Sequence, residues 1–197
     1  MVTKLGWAGA LICCLAVCGQ AQSARPKQAP KQDRGWKHYR NPQAGYCLSY
    51  PHRWFKGDAF DGTGIYIGTG VKRYSRPLGE IDVGILPPAP QNEPHTAAIS
   101  LDENLQVHLD GLKTFERAQH MQVLEQRSIE FLGSPGLFTK DKYYDPLDRS
   151  TWIDEVIFVR RKDDIFRLEL ECRSDQLARF EAVFTQLLNS FEFDCRR

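Results

Sequence analysis

The chain of 197 residues has no apolar run long enough to cross a membrane, no excess of one charge and no internal repeat at a fixed period. A spanning helix needs about 20 consecutive apolar residues, whereas the longest candidate, residues 5–17, offers only about a dozen. Lys and Arg number 26 against 25 Asp and Glu, so nothing here suggests a nucleic-acid partner. Metal and nucleophile motifs are also missing. The five histidines (His38, His52, His95, His108, His120) show neither H-x-x-x-H nor H-E-x-x-H spacing, and no two cysteines after residue 18 lie close together. Gly133-Ser134-Pro135-Gly136 lacks the G-x-S-x-G spacing of a nucleophile elbow and joins two strands instead of leading into a helix. Each glycine-rich stretch, Gly62-Thr63-Gly64 and Gly68-Thr69-Gly70, flanks a strand, so neither opens a helix whose amides would cradle a phosphate.

What is present begins with an export signal. Lys4 precedes the apolar stretch, and Gly19 and Ala21 occupy the small-residue positions before a cut after Ala21, with a cut after Ser23 as the alternative. Residues 1–21 are therefore expected to be a signal peptide. A lipid anchor fits less well, because Cys13, Cys14 and Cys18 follow Ile12, Cys13 and Val17 where a small residue is needed. Residues 22–35, rich in Gln, Pro, Lys and Ala, read as a flexible basic linker. Arg25, Lys27, Lys31, Arg34, Lys37 and Arg40 face only Asp33 in acid, while the rest of the chain to Arg197 holds 19 bases and 24 acids. A basic arm thus precedes an acidic domain. The arm is a solvated tether or a contact for anionic membrane surface.

Residues 36–197 form one domain of ordinary size. Tyr46, Leu48 and Tyr50 alternate with Cys47 and Ser49, and strands follow at 65–69 and 80–85. Pro87, Pro88, Pro90 and Pro94 break the pattern into a surface loop. Ser100 and Glu103 form an S-x-x-E capping box before Leu101, Leu105, Leu109, Leu112 and Phe115 at helical spacing. Residues 122–131 and 137–143 flank the 133–136 turn as a hairpin, and 152–161 and 165–172 form a second one across 162–164. In the last strand Phe166, Leu168, Leu170 and Cys172 face one way and Arg167, Glu169 and Glu171 the other, which predicts one buried face. Ser174 or Asp175 is the expected cap of a final helix whose stripe runs through Leu177, Phe180, Val183, Phe184, Leu187, Leu188 and Phe191. Hairpin-length connections and two amphipathic helices give an α+β fold: a central, mainly antiparallel sheet with helices packed on it.

Candidate chemistry is sparse. Asp141, Asp145 and Asp148 are placed in one loop as possible oxygen ligands, without EF-hand spacing. Asp154 and Glu155 are strand neighbours and point to opposite faces. Tyr143, Tyr144 and Trp152 form an exposed aromatic patch or close the core. No catalytic residue and no cofactor is implied.

Three cysteines remain after the signal, Cys47, Cys172 and Cys195. A helix over 177–190 is about 21 Å long, which separates Cys172 from Cys195, whereas a tail returning beside the early strand brings Cys195 to Cys47. Cys172 is then a buried thiol. All three being reduced is the alternative.

Gly45-Tyr46-Cys47-Leu48-Ser49-Tyr50-Pro51-His52-Arg53-Trp54 resembles the G-aromatic-x-apolar-x-Tyr-Pro-x-x-Trp opening of the PsbP and Mog1-like superfamily. The last strand and a helix ending Leu187-Leu188-Asn189-Ser190-Phe191 are similar to that superfamily's close. The resemblance implies an antiparallel sheet with packed helices in an exported bacterial protein, with structural roles for Tyr50, Pro51, Trp54 and Phe191. Relatives include photosystem accessory subunits and a partner of the Ran GTPase, and no catalytic motif is shared among them. The expectation is an exported, periplasmic or secreted non-catalytic module that contacts another envelope protein. A hydrolase with a non-local site and a small-ligand or metal carrier are the alternatives.

Overall fold

The computed structural model describes residues 35–69, 78–86, 100–114 and 118–195, which lie in one compact unit, Asp33–Arg197. The signal segment, most of the basic arm and the proline-rich loop fall outside the described residues.

Two antiparallel sheets are present. The smaller joins β1 (Trp36–Asn41), β2 (Tyr46–Pro51) and the two-residue β10 (Glu192–Phe193), with β2 in the middle. The larger has the order β3 (Phe55–Ala59), β4 (Gly64–Gly68), β5 (Gly79–Ile85), β9 (Asp164–Arg173), β8 (Ser150–Arg161), β7 (Ser134–Asp145) and β6 (Gln119–Phe131). Helix α1 (Leu101–Thr114) follows β5, and α2 (Leu177–Ser190) follows β9. Every strand pair is antiparallel, in agreement with the α+β expectation.

The main core lies between one face of the large sheet, α2 and the small sheet. Phe180, Phe184 and Leu187 of α2 meet Ile81, Val83, Leu168 and Leu170, while Tyr46, Leu48, Tyr50 and Trp54 close it from the β2 side. Trp54 packs against Phe180 with ring centroids 5.1 Å apart, and Phe191 stacks on Tyr46 at 5.4 Å. Ser190 Oγ accepts a 2.8 Å bond from the Ser49 amide, tying the helix end to β2. Cys47 and Cys195 are joined by a disulfide with α-carbons 5.9 Å apart, and Cys172 is a buried free thiol. The apolar surroundings push the Cys172 thiol up to about 12, so it behaves as a small hydrophobe.

Helix α1 starts at the capping box: the Glu103 amide donates to Ser100 Oγ, and the Ser100 amide donates to the Glu103 carboxylate. Helix α2 starts differently. Residues 174–176 form a 3-10 turn, and neither Ser174 nor Asp175 caps the helix, because the turn places Gln176 at the cap position. The first long hairpin also turns more tightly than its glycines and proline suggest. Leu132 and Gly133 alone turn the chain, at φ 51° and 77°, and Ser134, Pro135 and Gly136 already belong to β7. Positive φ at both turn residues matches the twist of the flanking strands.

The largest departure concerns the second face of the sheet. Glu169 is buried and Arg167 and Glu171 are partly buried, because α1 lies over that side. Leu101, Leu105 and Leu109 pack on Leu137 and Phe158, and Leu112 packs on Tyr143 and Trp152. Tyr143 and Trp152 are therefore core residues, each 1% exposed.

Candidate functional site

Between the two apolar contacts of α1 lies a layer of buried charge. Register places Asp141 of β7 opposite Asp154 of β8, Asp154 opposite Glu171 of β9, and Glu171 opposite Glu80 of β5. One pleat away, Glu169 of β9 stands opposite Asp82 of β5. Residues with this spacing share a sheet face, so one rung of carboxylates crosses four strands. His108 descends from α1 into the layer: its Nε2 lies 2.6 Å from Asp154 Oδ2 and its Nδ1 3.9 Å from Glu169 Oε1. Arg167 Nε is 3.0 Å from Glu169 Oε2, and the Tyr143 hydroxyl donates to Glu171.

The electrostatics follow from this crowding. Burial pulls the His108 imidazole down, but Asp154 and Glu169 outweigh it and raise its pKa. Burial raises Asp154 well above the carboxylate range, Glu169 adds to the rise and His108 opposes it. Asp82 is pushed up to about 8, mainly by burial and then by Glu169. On the opposite face Glu155 pairs with Lys140 at 2.6 Å, so the adjacent acids Asp154 and Glu155 do diverge.

The three aspartates named from sequence are not gathered in one loop. Asp141 is fully buried inside β7, where it accepts a 2.9 Å bond from Thr139, because the buried alternation of β7 continues to Asp145. Asp145 accepts from the Leu147 amide, and Asp148 from the Ser150 amide and Trp152 Nε1, so both carboxylates brace the β7–β8 turn. His108, Asp154 and Glu169 are the residues that converge instead. The available signal was the phase of His108, three residues after Leu105 and four before Leu112, on the buried stripe of α1.

A second feature is open to solvent. A cleft of about 740 Å³ at the exit of β2 is lined by Gly35, Pro51, His52, Arg53, Trp54, Thr69 and Arg179. Pro51 is the last residue of β2, and the turn after it carries His52 and Arg53 outward while Trp54 turns inward to the core. Arg179 reaches the cleft from the first turn of α2. No carboxylate among the described residues pairs with Arg53 or Arg179. The arrangement suits an anionic group lying across two guanidinium groups beside an indole.

No family model matches the chain, and no curated protein matches it. Solved structures do. The chain is similar to cyanobacterial PsbP from Synechocystis, at 12% identity and a TM-score of 0.57, with 85% of this chain and 98% of that one covered. It also matches LpqN of Mycobacterium tuberculosis, a protein involved in cell envelope biogenesis, at 14% identity and a TM-score of 0.46, covering 81% and 85% of the two chains. A Pseudomonas aeruginosa protein of unknown function matches at 10% identity and a TM-score of 0.46, covering 77% and 92%. Sheet order, helix placement and the likeness to cyanobacterial PsbP together give this chain the PsbP-like α+β fold.

Proposed function

We propose that this protein is an exported, non-catalytic accessory module of the cell envelope that binds an acidic segment of another envelope protein in the cleft formed by His52, Arg53, Trp54 and Arg179. The observation that carries the reading is a cationic cleft in a domain with an acidic excess. Two arginines that pair with no carboxylate among the described residues offer their charge to a ligand, and Trp54 supplies a rigid apolar wall. A PsbP-like fold and the signal-like first 21 residues support export, and the described residues contain no helix long and apolar enough to cross a membrane. The basic stretch, whose Lys37 and Arg40 project from β1 into solvent, adds a weak, salt-sensitive attraction to anionic membrane.

The test is a photo-reactive amino acid at position 52 in cells that express the protein. A single dominant adduct is expected, and the double variant R53E/R179E is expected to lose it, while R149E, on the remote β7–β8 turn, keeps it. Adduct formation that charge reversal leaves intact, or substrate turnover by the purified chain, defeats the proposal.

A further inference from the structure

We infer that His108, Asp154 and Glu169, completed by Asp141, bind a divalent transition cation that fastens α1 to the sheet. This inference is independent of the cleft, since the residues lie on the opposite face of the large sheet from α2.

Convergence comes first. One ligand atom from each of His108, Asp154 and Glu169 lies within 4.8 Å of the other two. Ligands held about 2.1 Å from a tetrahedral ion stand about 3.4 Å apart, so small side-chain adjustments accommodate an ion among them. The three side chains are 6%, 0% and 10% exposed, which excludes the ordinary explanation of a solvated acidic surface.

The second observation is independent of that geometry. Asp154 Oδ1 and Asp141 Oδ1 are buried without a hydrogen-bond partner, although their residues are fully enclosed and stand opposite each other on β8 and β7. Buried carboxylate oxygens are ordinarily satisfied, and a cation between the two strands satisfies both.

Charge points the same way. Glu80 and Asp82 of β5, Asp141 of β7, Asp154 of β8 and Glu169 and Glu171 of β9 share this face, and His108 faces them from α1 with Arg167 and Arg173 of β9. Among the described residues six acids stand against three bases, and a dication offsets part of that excess. One imidazole nitrogen with carboxylate oxygens favours zinc or manganese over calcium, which prefers an all-oxygen shell. On binding, the proton shared between His108 Nε2 and Asp154 Oδ2 leaves to solvent, and the ion takes its place.

The experiment titrates the chelator-treated chain with Zn²⁺, and separately with Mn²⁺, by calorimetry at about pH 7 in two buffers of different ionisation enthalpy. One site, with an enthalpy that depends on the buffer because a proton is released, is expected. E169Q and H108Q should each weaken binding at least 10-fold, whereas H38A/H120A, which removes two exposed imidazoles, should not. Hydrogen exchange gives a readout that does not depend on the variants: the amides of α1 slow when the ion is added to wild type. Absence of saturable binding by either ion up to about millimolar, or binding that E169Q leaves unchanged, overturns the assignment.

Discussion

Replacing Asp82 by Asn should make this protein more stable, and increasingly so as the pH rises. Asp82 sits on β5 directly opposite Glu169, with Glu80 and Glu171 close by and Arg167 favouring its ionised form. Burial and these acids raise its carboxyl from 3.8 to about 8. In the folded state the neutral form is favoured, so the stabilisation is complete below about pH 4 and is lost as the pH climbs towards 8. A rise of roughly four units, at about 1.4 kcal/mol each, sets a ceiling near ~6 kcal/mol. Relaxation of the neighbouring acids and partial access to solvent bring the expected effect to about 2–4 kcal/mol. Urea unfolding of wild type and D82N at about pH 4.5, 6, 7 and 8.5 measures it. The two curves should nearly coincide at the lowest pH and separate steadily above it, D82N being the more stable. A difference that stays constant across the series, or that favours wild type at high pH, refutes the reasoning. Metal-free wild type should also weaken with rising pH, since the raised His108 loses its charge, and with it the pairing to Asp154 and Glu169, as the pH passes its folded-state value.

Two further outcomes test the core. Non-reducing peptide mapping should recover Cys47 linked to Cys195 and a single alkylatable thiol at Cys172, and C47S/C195S should destabilise by up to about 4–5 kcal/mol because the bond closes a loop of 148 residues. Gly79→Ala should cost at least about 1–3 kcal/mol by thermal unfolding, since its new methyl would stand 2.6 Å from Cys172 Cβ and 2.8 Å from the Phe180 ring.

How far the fold could be read in advance depended on whether a local rule and the tertiary context agreed. The capping box of Ser100 and Glu103, the stripe of α2 and the alternation of β9 all describe one segment against one surface, and each appears in the structure. The buried ionic layer was hidden because an apolar-polar alternation looks the same whether the polar side meets water or a second covered face. Glu169 and Arg167 were therefore assigned to solvent, and Asp141, which follows Leu137 and Thr139 at alternate buried positions of β7, was assigned to a loop. His108 was legible in principle as a polar residue on a leucine stripe, but its partners lie 46 and 61 positions away on strands whose neighbours only the fold determines. The cleft was hidden for the same reason. Arg53 and Arg179 are 126 positions apart and meet because α2 packs beside the exit of β2.

The pairing of β1 with β2 decides where an attachment to this protein can safely go. Trp36 stands opposite Pro51, and the Gly35 carbonyl accepts a bond from the His52 amide, so the polypeptide enters the fold at the wall of the cationic cleft. At the other end of the chain Glu192 pairs with Cys47, and the Asp194 amide is held by Gly45. The four steps from Cys47 to Pro51 span about 14 Å of extended strand. An affinity tag or reporter placed shortly before Trp36 is thus delivered to the mouth of the cleft and competes with whatever binds there, whereas one placed after Cys195 leaves from the far end of β2.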